Sequence, residues 1–170
     1  MTDKLQKLIT ENKTYYVNPK LTANNFPKPK TIATENWKLI KMEKRFSSKE
    51  ALARIKSEGC RPANVWELAT WVKSHGGELE KLHWLLAFGQ MWGKAGGYHR
   101  VPDVHVCVSG GFDFDLGYFE DDWVAGNYLL CFCDSDPGAP NPPIDPLSLE
   151  TRVKKLGDMV EKIRGFLVID

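Results

Sequence analysis

The chain has 170 residues, enough for one domain with a core of its own. Its composition, 42% hydrophobic and 26% charged, is that of a soluble globular protein. A net charge of +1 excludes an overall pull toward nucleic acid or an anionic membrane surface.

Along the chain, residues 1–30 are rich in Lys and Asn, with Pro19, Pro27 and Pro29. They predict an N-terminal arm, in which Leu5, Leu8 and Ile9 have the spacing of a short amphipathic helix. ENWKLIKMEK, residues 35–44, alternates Trp37 and Leu39 against Lys38, Ile40 and Met42, which predicts a strand. Ser47 with Glu50 three places on is a capping box, preceded by Phe46. The helix it opens buries Ala51, Leu52 and Ile55 and ends at Gly59. Pro62 cannot continue that helix, and Asn64 with Glu67 opens another at once. The second helix is predicted from about Val65 to His75, with Val65, Leu68, Ala69 and Val72 inward and Gly76-Gly77 as its end.

From residue 82 the period changes. LHWLLAFGQMW (82–92) reads as a buried strand and GKAGGYHR as a glycine-rich loop. VPDVHVCV (101–108), FDFDLGYF (112–119) and NYLLCFC (127–133) are strand-like, separated by Gly-Gly and Asp-Asp turns. In the second, Phe112, Phe114 and Leu116 take one face while Asp113 and Asp115 take the other, the pattern of an antiparallel strand wet on one side. Residues 112–133 are expected to fold back as an accessible sheet edge. Residues 137–146 form a Pro-rich linker, and 147–170 a C-terminal amphipathic helix with an apolar face for packing or for self-association through 147–167.

Charge is distributed unevenly. Residues 1–60 carry 13 Lys/Arg against 6 Asp/Glu, whereas residues 101–151 carry 10 Asp/Glu and neither Lys nor Arg. The acidic segment repels phosphate backbones, so no nucleic acid is expected there. It suits a cation, a basic partner or a sugar. No apolar run approaches the roughly 18 residues of a spanning helix, and MTDKLQKLITENK lacks the apolar region of a secretion signal. A cytoplasmic protein without membrane attachment is therefore expected. Cys60, Cys107, Cys131 and Cys133 include no C-x-x-C pair, which predicts reduced thiols.

Three chemistries can be placed on these elements. A helix-turn-helix over residues 47–75 would need basic or amide side chains on its second helix, and Glu67, Thr70, Lys73 and Ser74 supply a single cation. A metal-dependent enzyme is an alternative, centred on His99, His105 and Cys107, since His105 and Cys107 share a strand face. No nucleophile elbow, phosphate-cradling loop or paired-carboxylate motif is present, and no cofactor is expected. The turn LGYFEDDWVAGN (116–127) is the most distinctive stretch, because aromatic rings flank Glu120-Asp121-Asp122.

The run Gly59-Cys60-Arg61-Pro62-Ala63-Asn64-Val65-Trp66-Glu67-Leu68 resembles the corner between two helices in the C-type lectin-like fold. The likeness is to its disulfide-free form, seen in formylglycine-generating-enzyme-like domains and in the variable proteins of diversity-generating retroelements. Residues 117–123, Gly-Tyr-Phe-Glu-Asp-Asp-Trp, and the strand through Leu129 to Cys133 are similar to the glycine-tryptophan turn and final strand of those families. The corner and turn are also similar to bacterial proteins with G-Y-R-P-A-x-x-x-E-L and L-G-W-F-D-G-x-W. The resemblance spans about residues 35–135. Leu130 and Phe132 stand where the family carries charge, and the C-x-x-x-x-C copper pair is missing, which argues against oxidase activity.

The resemblance implies an α+β, C-type lectin-like domain over residues 31–136, with two helices packed on a twisted antiparallel sheet. Arg61 is expected to pin the corner. A non-catalytic ligand- or protein-binding module follows, acting through surface residues near the last strands: Asp113, Asp115, Tyr118, Glu120 and Asp121, with Trp123 and Asn127. An assembly subunit joined through the C-terminal helix is a further alternative.

Overall fold

The computed structural model describes residues 3–82, 84–93, 97–108 and 110–133. The linker and terminal helix expected over 137–170 lie outside them. The described residues build an α+β fold of three helices on a mixed, mostly antiparallel sheet.

The helices are α1 (Lys4–Thr10), α2 (Ser48–Ser57) and α3 (Val65–Leu82). The main sheet runs β1 (Thr14–Val17), β8 (Phe112–Tyr118), β7 (His99–Val106), β5 (Trp84–Leu86), β10 (Tyr128–Cys133) and β2 (Trp37–Lys41). Two short strands attach to it, β4 (Cys60–Pro62) to β10 and β6 (Trp92–Gly93) to β7. A separate ladder pairs β3 (Phe46–Ser47) with β9 (Asp122–Trp123). The sheet departs from the all-antiparallel expectation at two places, β1 with β8 and β10 with β5. It also departs from the expected edge, because β10 is flanked on both sides and β8 lies between β1 and β7.

Period-2 alternation divides the core into two layers. On one face Leu85, Val104, Phe112, Phe114, Leu116, Leu130 and Phe132 meet α1 and α3. On the other, Ile40, Leu86, Val101, Leu129 and Cys131 meet Ala51 and Ile55 of α2, together with Phe46, Phe88 and Trp123. The two helices predicted from sequence therefore belong to opposite faces.

The N-terminal segment is structural and is no loose arm. Leu5, Ile9, Leu21 and Phe26 are buried. Asp3 caps α1 by accepting from the Leu5 and Gln6 amides, and the same carboxylate takes the Ala23 amide at 2.9 Å. The Trp66 indole donates to the Phe26 carbonyl at 2.9 Å, locking the segment to α3.

The corner at residues 59–68 is built around Glu67, whose side chain is fully buried. Gly59 takes φ +70°, a region that favours glycine, to leave α2. Arg61 then grips Glu67 with both terminal guanidinium nitrogens, at 2.9 and 2.6 Å. The carboxylate also accepts the Asn64 amide and the Ala33 amide, each at 3.0 Å. Asn64 returns a cap to the Trp66 and Glu67 amides. Burial raises the Glu67 pKa, but the Arg61 contact and the two amides outweigh it and hold the group below its ordinary value.

α3 overruns the expected stop. His75 has non-helical φ −128° and ψ 24°, so the helix kinks there and then resumes to Leu82. The His75 ring stacks on Trp71 with centroids 4.9 Å apart, and Leu79 buries the second segment. Those contacts outweigh the helix-breaking tendency of Gly76-Gly77. The run at 82–92 is likewise less strand than expected: only Trp84–Leu86 and Trp92–Gly93 are strand, with Ala87 and Phe88 buried between them.

The reduced-thiol expectation also fails for one pair. β10 and β4 are antiparallel, Cys133 lies opposite Cys60, and the two form a disulfide across 73 residues of sequence.

Candidate functional site

The β7–β8 hairpin sets the chemistry of the outer sheet. Cys107 and Gly111 close the turn through a 3.0 Å backbone bond, and Gly110 and Gly111 both take positive φ. The resulting register places Asp113 opposite His105 and Asp115 opposite Asp103. On the neighbouring strand, Trp84 lies opposite His105. Because alternate residues share a face, Asp103, His105, Asp113, Asp115 and Trp84 occupy one side of the sheet, the side on which α2 packs further along.

Their side chains are coupled. The Trp84 ring stacks on His105, centroids 4.4 Å apart, and its indole N–H donates to Asp103 Oδ1 at 3.0 Å. His105 stands between two carboxylates, Nδ1 at 3.6 Å from Asp103 and Nε2 at 3.5 Å from Asp113. Asn18, just past β1, donates to Asp115 Oδ1 at 2.7 Å. Two buried polar atoms in the group, His105 Nδ1 and Asp113 Oδ1, have no hydrogen-bond partner. The His105 and Asp113 side chains keep 25% and 18% exposure, and Trp84 keeps 38% as a residue, so the cluster is open to solvent on one side.

Electrostatics follows the geometry. Burial drives the Asp103 carboxyl above its ordinary value, assisted by the charge of Asp115. The adjacent Asp103 carboxylate raises the His105 imidazole against its own burial, with smaller contributions from Asp113 and Asp115. The partly exposed carboxylates of Asp113 and Asp115, with the exposed Trp84 indole on the same face, can hold a positive charge, and a proton on His105 competes with it.

The remaining residues singled out from sequence separate into a rim and a core. Tyr118 is exposed at the end of β8, edge-to-face with Tyr98 at 5.5 Å, and Arg100 lies 3.5 Å over its ring. Tyr98, Tyr118 and Asp121 wall a shallow depression of about 300 Å³. Glu120 is occupied: it accepts the His99 backbone amide and pairs with His99 Nδ1 at 2.7 Å. The hydrogen bond with the His99 side chain, and to a smaller degree the backbone bonds, lower its pKa.

Trp123 and Asn127 are buried, contrary to their assignment to a contact surface. Trp123 is 8% exposed, donates to Ser48 Oγ at 2.8 Å and packs its ring over Gly117, whose missing Cβ makes room for it. An indole that fills the gap between α2 and the sheet contributes more as core than it would as an exposed contact.

The metal alternative at His99, His105 and Cys107 is not assembled. His99 and His105 are six residues apart on one extended strand, about 20 Å, and each is engaged by different carboxylates. The helix-turn-helix reading also fails, since Trp66, Glu67 and Trp71 of α3 are buried.

Sequence reasoning missed Trp84, Asn18, Arg100 and Tyr98 as members of these surfaces. The signal for Trp84 was present in the strand pairing, because a tryptophan beside a D-x-H strand falls next to the histidine when the strands align. Among the described residues, no helix is long and apolar enough to cross a membrane. No known family, curated protein or solved structure matches the chain.

Proposed function

We propose that the protein is a non-catalytic binding module of C-type lectin-like type. On this reading it takes a cationic group, such as a lysine or arginine side chain of a basic peptide, on the acidic-aromatic face of β5, β7 and β8. One observation carries the reading: Asp113 and Asp115 lie partly exposed on the same sheet face as the exposed Trp84 ring, at positions where a core would place apolar side chains. Carboxylate and indole together match an ammonium or guanidinium, the first by charge and the second by cation–π attraction. Tyr118, which by alternation falls on the opposite face of β8 from Asp113 and Asp115, walls a separate depression with Tyr98 and Asp121. The lectin-like assignment draws support from the two capped helices meeting at the Arg61–Glu67 corner and from the Gly117–Trp123 contact behind the turn.

The test is retention of an immobilised oligolysine or oligoarginine peptide at low ionic strength. Asp113→Asn combined with Asp115→Asn is expected to weaken binding at least tenfold with little loss of thermal stability, and an oligoglutamate peptide is expected not to bind. Equal binding of the acidic peptide, or no effect of the double substitution, rules the reading out.

A further inference from the structure

A second cluster lies away from the acidic face, where the end of β10 meets β4. Strand alternation points Cys131 and Cys133 to one side of β10, and the β4 register brings Cys60 opposite Cys133. All three sulfur atoms lie within 4.8 Å of one another. Among the described residues, this is the one group of three or more His, Cys, Asp or Glu side chains whose ligand atoms converge so closely. Cys131 is buried against Ile55 and Ala51 of α2, while Cys60 and Cys133 are half-buried.

We propose that Cys60, Cys131 and Cys133 form a three-thiolate site for a thiophilic d10 cation, Cu(I) or Zn(II), which the Cys60–Cys133 disulfide closes when oxidised. A metal–sulfur bond of about 2.3 Å places the sulfurs of a trigonal site roughly 4 Å apart, inside the spacing of this cluster. Cys60 and Cys133 need only part by about 2 Å once their bond is cut. The three donors come from two strands tied by backbone hydrogen bonds, so the site is held by the sheet and needs no loop to close. Thiolate is the donor that such soft cations select over oxygen.

Opening the site consumes one dithiol reductant. The reductant becomes a disulfide, two electrons pass to the Cys60–Cys133 bond, and its two protons leave two thiols in the protein. Cation binding then releases the protons of all three thiols to solvent as three metal–sulfur bonds form. The Sγ–H of Cys131 exchanges its 3.2 Å contact with the Lys38 carbonyl for the metal.

The experiment uses the full chain, reduced and kept under inert gas, loaded separately with Cu(I) and Zn(II) against chromophoric chelators. One equivalent of cation is expected, held at least tenfold more tightly than by Cys131→Ser and unchanged in Cys107→Ser. The oxidised chain is expected to bind neither cation at that site. Tight Cu(I) with weak Zn(II) supports a trigonal site, and tight binding of both supports one that admits a further donor. Equal affinities for wild type and Cys131→Ser with both cations overturn the proposal. Should Cys131→Ser fail to fold, the sulfur count from X-ray absorption of the loaded wild type decides: three supports the site, and two or fewer overturns it.

Discussion

Trp123 shows how much a single environment decides. Its indole N–H finds Ser48, its ring meets Phe88 edge-on at 5.7 Å, and Gly117 gives it space. Trp123→Ala is therefore expected to cost about 3–5 kcal/mol in chemical denaturation, as for other large-to-small core changes, whereas Tyr118→Ala at the rim costs less than about 1 kcal/mol. Glu67 is the second such residue. Glu67→Ala strands the Asn64 and Ala33 amides, while the half-exposed Arg61 can turn to solvent, and a loss of about 1–3 kcal/mol is expected from the unsatisfied donors. Because the Glu67 pKa is lowered in the fold, its stabilisation is complete above the ordinary glutamate value of 4.5 and is lost as pH falls through its lower folded value. Acid denaturation of the wild type should thus be steeper than that of Glu67→Gln. His105 works in the opposite sense. Its raised pKa gives stability that is fully present below its ordinary 6.5 and lost as pH rises through the folded value. A bound cation competes with that proton, so affinity for a basic peptide is expected to rise with pH across the same window. In His105→Gln the pH profile, followed by calorimetric titration, is expected to be flat.

At the scale of elements, local patterns in the sequence were good guides wherever the determinant was local. The capping box at Ser47 and Glu50, the Asn64–Glu67 opening of α3, and the alternation in β8 all form as read. The Gly-Gly turn between β7 and β8 was legible too, whereas the register that sets His105 opposite Asp113 emerges only from the strand pairing itself. What was not legible depended on partners distant in sequence. β1 is held by parallel pairing with β8 across almost a hundred residues, and α3 continues past two glycines because Leu79 reaches the core. The Cys60–Cys133 bond belongs to the same class, since only the β4–β10 register brings the two together. Closing a loop over a 73-residue separation, it is expected to contribute about 4 kcal/mol on chain-entropy grounds. Reduction should lower the denaturation midpoint accordingly, and the Cys60→Ser variant should respond to reductant hardly at all.

Over the molecule as a whole, one face of the sheet changes character along its width. Where α2 and Trp123 cover it, the face is apolar; beyond them, on β5, β7 and β8, the same face carries Trp84, His105 and three aspartates. Burying Asp103 and leaving one Asp113 oxygen without a partner costs stability, a cost that the proposed ligand would offset on binding. The candidate site was only partly visible in the sequence, which marked Asp113, Asp115 and Tyr118 but also placed Trp123 and Asn127 at the surface. Alternation cannot tell a wet strand face from one under a helix. The most direct measurement is two-dimensional NMR of the isotope-labelled chain titrated with an oligolysine peptide. The binding surface predicts saturable shifts of the Trp84 indole N–H and of the Asp113 and Asp115 amides, with the Trp66 and Trp123 indoles unmoved. Shifts confined to other parts of the molecule, or none at all, would contradict it.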